Sequence, residues 1–286
     1  MVIVMSNIFL HYKKNNINLL YISCSILLIC YGFYKNGILL YRDTNGNVLT
    51  LIRPILIPLI AIGVSQIINY IKNKKISINN NLIYILLLSL SVPLNINILV
   101  YTMFIIVISL FLEFLSSKLK VNINYIALFK ILLILILFIL HNYQYANQME
   151  LLHKYSYSLL DILFGRGISG VCTSSMILII ISYMILCTNY YYKKEIPFIS
   201  LSVYFALALV FKFVFHKVII LNSLILYSLV FIASISFMSP VSKLEKMIYS
   251  IIIGILTFIF TYYFNRNDGV IFAIFIASFI NFFDLK

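Results

Sequence analysis

Apolar runs follow one another along this chain from Ile17 to Phe283, and short lysine- and asparagine-bearing segments separate them. A soluble domain carries about a quarter charged residues. Here 10% are charged, 63% are hydrophobic, and the mean hydropathy is +1.06. Such a chain is a multi-pass membrane protein, an all-α helical bundle. No polar stretch is long enough to fold by itself, so residues 1–286 read as one integral membrane domain.

Ten spans are expected. The first covers Ile17–Tyr34 and is read as an uncleaved span, since it is long for a signal peptide and no cleavage motif follows. A polar loop, Lys35–Arg53, leads to the second span, Pro54–Tyr70, with Pro54 and Pro58 in its first turns, where a missing N–H costs least. The third span is short, 82–92, and SVPLN at 91–95 turns the chain into the fourth, 97–115. The fifth covers 124–141, the sixth Cys172–Tyr190, the seventh 198–211 and the eighth 218–237. After SPVSKLEK at 239–246 come the ninth span, 247–264, and the tenth, 270–283. Several runs fall short of the roughly 20 residues that cross a bilayer.

The net charge of +13 could suit nucleic acid in a soluble protein, but these lysines sit between apolar runs, as in cytoplasmic membrane loops. With both termini inside, the inner segments hold 12 of the Lys and Arg residues and the longer outer ones hold 8. The bias predicts an N-in, C-in bundle. Trp is absent, so the tyrosines form most of the interfacial aromatic belt. Cys24, Cys30, Cys172 and Cys187, with four scattered histidines, form no metal-ligand spacing.

One stretch breaks the pattern, DILFGRGISGVCTSSMILIIISY at 161–183. Gly165, Gly167 and Gly170 crowd together around Arg166, and Cys172, Thr173, Ser174 and Ser175 precede a long apolar run. Glycines admit a ligand close to the backbone, and a helix start offers free N–H groups to a phosphate. Ser or Thr there is also ordinary helix capping, and the residues alone allow both readings. Charge alternation places this stretch at the outer face, as a turn onto span six. Two ionisable residues lie within spans, Glu113 in the fourth and Lys130 in the fifth, and such charges are functional candidates by default. Lys130 pairs with Glu113 if those spans are antiparallel neighbours, either as a structural pair or on an ion or electron path.

GISGVCTSSMILIIISYMIL, then YYKKEIPFISLSVYFALAL, and later FMSPVS and NDGVIFAIFIASFINFFD, run in an order that resembles the RnfD component of the Rnf electron-transport complex. They also resemble its relative, the NqrB component of the sodium-translocating NADH:quinone reductase. VNINYIAL at 121–128 stands where the family has Asn-Ile-Phe-Asn-Pro-Ala, without its proline. The resemblance implies a membrane subunit of a flavin-dependent, ion-translocating electron-transport complex, a translocase subunit not active alone. It further implies partner subunits, a flavin transferase, and FMN joined through a phosphoester bond to a threonine near the outer face. In an ungapped match that threonine falls on Cys172, which has no hydroxyl. Thr173 is then the candidate, with Ser174 second, and Cys172, Gly170, Gly167 and Arg166 complete the cofactor site. Tyr143, Tyr145, Tyr155 and Tyr157 could cover the ring or belong to the interfacial belt. Which residues are catalytic is not implied. The rival reading is a transporter or scaffold of the same fold without covalent flavin.

Overall fold

The computed structural model describes residues 2–44, 48–74, 78–118, 123–140, 163–165, 169–216, 222–264 and 268–282. Among these, ten apolar helices account for the fold and no strand occurs. Helix α1, Val2–Gly32, continues without a break through a π-helical turn, Phe33–Leu39, and a last turn, Leu40–Thr44. The other helices are α2 (Val48–Asn73), α3 (Asn80–Leu90), α4 (Ile98–Lys118), α5 (Tyr125–Ile139), α6 (Met176–Cys187) and α7 (Glu195–Phe215). Then come α8 (Ser223–Tyr227, prolonged by a π segment, Ser228–Ala233), α9 (Lys243–Tyr262) and α10 (Gly269–Ala277, ending in a 3₁₀ turn, Ser278–Phe282). Four are long and apolar enough to cross a membrane: Ile17–Arg42, Val48–Lys72, α7 and α9. The other six are shorter apolar helices.

The expected polar loop at Lys35–Arg53 is therefore mostly helix. Lys35 and Asn36 are buried in the π turn, and Arg53 lies inside α2. A π turn inserts an extra residue into a helix and is frequent at functional sites. Here it turns two polar side chains inward, toward carbonyls that need donors.

α3 explains the short third span. It has 11 residues, so it rises about 17 Å against a hydrocarbon core of ~30 Å. Leu82 through Leu90 are all buried, as expected for a helix apolar on every side. α8 is its counterpart, buried from Ser223 through Ala233. Both half-length helices stop inside the bundle and are followed by a proline-bearing turn, Pro93 in one and Pro240 in the other.

The order of elements repeats. A long proline-bearing helix (α2, α7) leads to a half-length buried helix (α3, α8), a long apolar helix (α4, α9) and a shorter one preceded by Asn or Asp (α5 after Asn124, α10 after Asp268). α7 and α9 pack in parallel. Glu195 lies beside Lys246, Gly254 lies against Ser200 and Val203, and Phe211 meets Phe258 and Tyr262.

Candidate functional site

A helix that ends among apolar side chains leaves carbonyls without partners, and in a membrane protein these must be satisfied inside the protein. The carbonyls after α3 are met by the glycine-rich stretch. The Val171 N–H donates to Val92 C=O at 2.8 Å, and the Cys172 N–H to Leu90 C=O at 3.0 Å. The Tyr227 hydroxyl, from α8, donates to Leu87 C=O at 2.7 Å. Arg53 donates to Leu94 C=O at 3.3 Å. Asn36 turns its amide onto Gly170 and Val171 C=O, at 3.3 and 2.7 Å. Lys35 and Tyr31 both donate to Phe164 C=O, at 3.2 and 2.8 Å.

The end of α8 is treated alike. Asn124, the cap of α5, donates to Ile232 C=O at 2.9 Å, and the Tyr192 hydroxyl donates to Val230 C=O at 2.9 Å. Lys193 donates to Ser236 C=O at 2.9 Å and also to Ser239 C=O. Arg53, directly before Pro54, and Lys193, just ahead of α7, thus cap the turns after the two half-length helices. A helix C-terminus carries partial negative charge, so cations and donors belong there.

Between α5 and α10, Lys130 lies 3.8 Å from Asp268, with both side chains essentially excluded from solvent. Asp268 stands at the start of α10, where the helix dipole favours a carboxylate. α10 also packs on the π segment of α8. Lys130 faces the bundle interior, and its ion partner among the described residues is Asp268, whereas the side chain of Glu113 lies outside them. In the sequence Asp268 reads as part of a turn, NRNDG. A polar Asn or Asp just ahead of an apolar run, present at both Asn124 and Asp268, is the signal that could have found it.

The glycine-rich stretch is packed within the bundle. Ser169 through Met176 are buried. A Cβ on Gly170 would lie 2.8 Å from the backbone of Ser91, and one on Gly165, at φ +78°, would lie 1.8 Å from Ser174 O. Helix α6 begins at Met176 rather than at Cys172, and Ser175 is its cap, accepting from the Leu178 N–H at 3.3 Å. The capping reading thus holds at Ser175. Thr173 is fully buried and its hydroxyl accepts from the Gly170 N–H at 2.9 Å. Cys172 donates its thiol to Pro54 C=O at 3.3 Å. Ser174 is fully buried, and its hydroxyl has no hydrogen-bond partner among the described residues. Arg166, Gly167, Tyr143, Tyr145, Tyr155 and Tyr157 lie outside the described residues. No cluster of His, Cys, Asp or Glu suited to a metal occurs among the described residues.

The model of the NQR2, RnfD, RnfE family matches residues 6–283. The chain belongs to this family. Its members are membrane subunits of the Rnf and NQR ion-translocating complexes, which contain flavin and several other subunits. No individual curated protein matches the chain significantly. Within this family member, the buried pair and the two interrupted helices form the candidate site.

Proposed function

We propose that this chain is an ion-handling membrane subunit of a flavin-dependent electron-transport complex in the bacterial cytoplasmic membrane. The observation that carries this is the buried Lys130–Asp268 pair beside the end of α8. A buried ion pair is expensive relative to apolar packing, and charges held within a membrane bundle mark ion pathways and proton relays. The segment that ends α8 packs on α10, and the partial negative charge of a helix C-terminus favours a cation near the pair. When a cation arrives, Asp268 can exchange the Lys130 ammonium for it, and Lys130 can return as it leaves. The whole complex, reconstituted in proteoliposomes, tests this. Asp268→Asn is expected to lower electron-driven cation uptake at least ten-fold while the complex still assembles. Unchanged uptake would reject the assignment.

Flavin comes to this reading through the family. FMN on Thr173 does not fit the packing described: its hydroxyl is enclosed and already bonded to Gly170, and the backbone of Ser91 fills the space a ligand would need beside Gly170. No step is therefore assigned to a flavin held there. This packing favours the second reading, a subunit of the same fold without covalent flavin. Intact mass with and without a co-expressed flavin transferase separates the two. No FMN-sized gain is expected. A gain lost in Thr173→Ala would restore the threonine, and a gain lost only in Ser174→Ala would move the attachment to the unpaired hydroxyl.

A further inference from the structure

Because α7 and α9 run parallel, their N-termini open at the same surface of the bundle. Both belong to the four helices long enough to cross a bilayer, so that surface is a membrane surface. Between their first turns and the turn at 188–194 lies a cavity of about 570 Å³. Lys193, Lys194 and Lys246 line it, with Glu195 as the carboxylate among its lining residues. Lys193 is buried and anchored on the carbonyls of Ser236 and Ser239, which fixes one ammonium at this wall. Lys246 pairs with Glu195 at 3.6 Å, but Glu195 is half exposed. Such a pair is weak and opens easily. Tyr190, 95% exposed, and Tyr191 stand at the rim.

We propose that this cavity binds a phosphate-bearing anion at the membrane surface, either the headgroup of an anionic phospholipid or a soluble phosphate. Lys194 and Lys246 exceed the one carboxylate that lines the cavity, Lys193 adds a third charge when protonated, and two helix starts add positive dipole ends to the same space. Basic pockets between membrane helices take phosphorylated headgroups, and the volume admits one. The tyrosines suit the level where headgroups lie. The lining contains neither Lys130, Asp268 nor the glycine-rich stretch, and the site does not depend on the ion-handling assignment.

The test uses the full chain, purified in detergent and stripped of lipid. It is titrated by native mass spectrometry with dihexanoyl phosphatidylglycerol, dihexanoyl phosphatidylcholine and inorganic phosphate. Phosphatidylglycerol should bind at least ten-fold more tightly than phosphatidylcholine. Lys194→Gln with Lys246→Gln should weaken phosphatidylglycerol at least ten-fold, leaving the melting temperature without ligand unchanged. Lys72→Gln with Lys74→Gln, outside the cavity lining, should not. Displacement of phosphatidylglycerol by inorganic phosphate would assign a soluble phosphate, and retention of the lipid would assign the headgroup. Equal binding of the two lipids, or equal losses in the two double variants, would overturn the site.

Discussion

Gly170 and Gly63 bear on different physics although both are glycines in membrane-embedded segments. A methyl group at Gly170 meets the Ser91 backbone at 2.8 Å, which cannot move without displacing the end of α3. Overpacking of this kind costs about 1–3 kcal/mol. Gly63, in α2, has nothing within 4 Å of its absent Cβ, so Gly63→Ala gains up to about 1 kcal/mol from helix propensity. Thermal melting of Gly170→Ala and Gly63→Ala should move in opposite directions, and equal shifts would contradict the packing of the glycine-rich stretch. At Lys130, removal of one partner leaves a buried charge, with a loss of about 3–5 kcal/mol. Lys130→Met with Asp268→Asn should therefore be more stable than Lys130→Met alone, a coupling that a double-mutant cycle reads directly. Lys193 supplies a pH dependence. Burial, with Lys246 acting in the same direction, lowers its pKa to about 7, against the opposing pull of Glu195 and Glu245. The native state then binds fewer protons than the unfolded chain above that pH, so stability rises from pH about 7 toward the ordinary lysine value near 10. Melting against pH should show that rise in the wild type, and a flatter curve in Lys193→Met.

The half-length helices decide the interior. An 11-residue apolar helix in a membrane bundle is unstable unless its terminal carbonyls find donors. α3 finds them in the backbone at 171–172 and in Tyr227 of α8, so the two half-length helices are tied to each other and to the glycine-rich stretch. Tyr227→Phe keeps the ring, which stacks on Phe231 with centroids 4.9 Å apart, but removes the donor to Leu87. A buried carbonyl left without its donor costs about 1–3 kcal/mol. The expected result is a melting temperature lower than that of the wild type with unchanged helix content by circular dichroism. An unchanged melting temperature would mean that α3 and α8 are not coupled through this bond. The same elements show why the sixth span reads longer in the sequence than it is. Cys172 through Ser175 are apolar or small enough to pass as helix, but the backbone at 171–172 is occupied in pairing with the end of α3.

At the level of the whole molecule, the repeated order of elements bears on topology. Each half contributes five helices, an odd number, so the second half enters the membrane with the opposite sense if every element, with the turn that follows it, crosses once. With the N-terminus inside, α2 then starts outside and α7 inside, which agrees with the lysine distribution. Single cysteines introduced into a variant lacking the native four test this. Lys74→Cys and Tyr190→Cys should label only from the inside, and Asn147→Cys only from the outside. Labelling of Lys74→Cys from outside would reverse the bundle.

Apolar runs and intervening lysines were enough to specify a helical membrane bundle, its ten segments and, through the order of its motifs, its family, because partition into lipid depends on composition over a window rather than on contacts. The position of Pro197 and the short run at 82–92 were legible for the same reason, whereas Pro54 and Pro58, expected in the first turns of their span, lie inside α2 because that helix already begins at Val48. What only the tertiary structure decided is where charges and broken helices meet. Lys35 reads as a loop residue and is buried through a π turn. Asp268 reads as a turn residue and is the partner of Lys130. Thr173 is the attachment candidate that the resemblance implies, and its hydroxyl is closed onto Gly170. Each of these depends on which distant segment supplies the missing hydrogen-bond or ion partner, and linear spacing carries no record of that. In an interior without water, those partners determine the site.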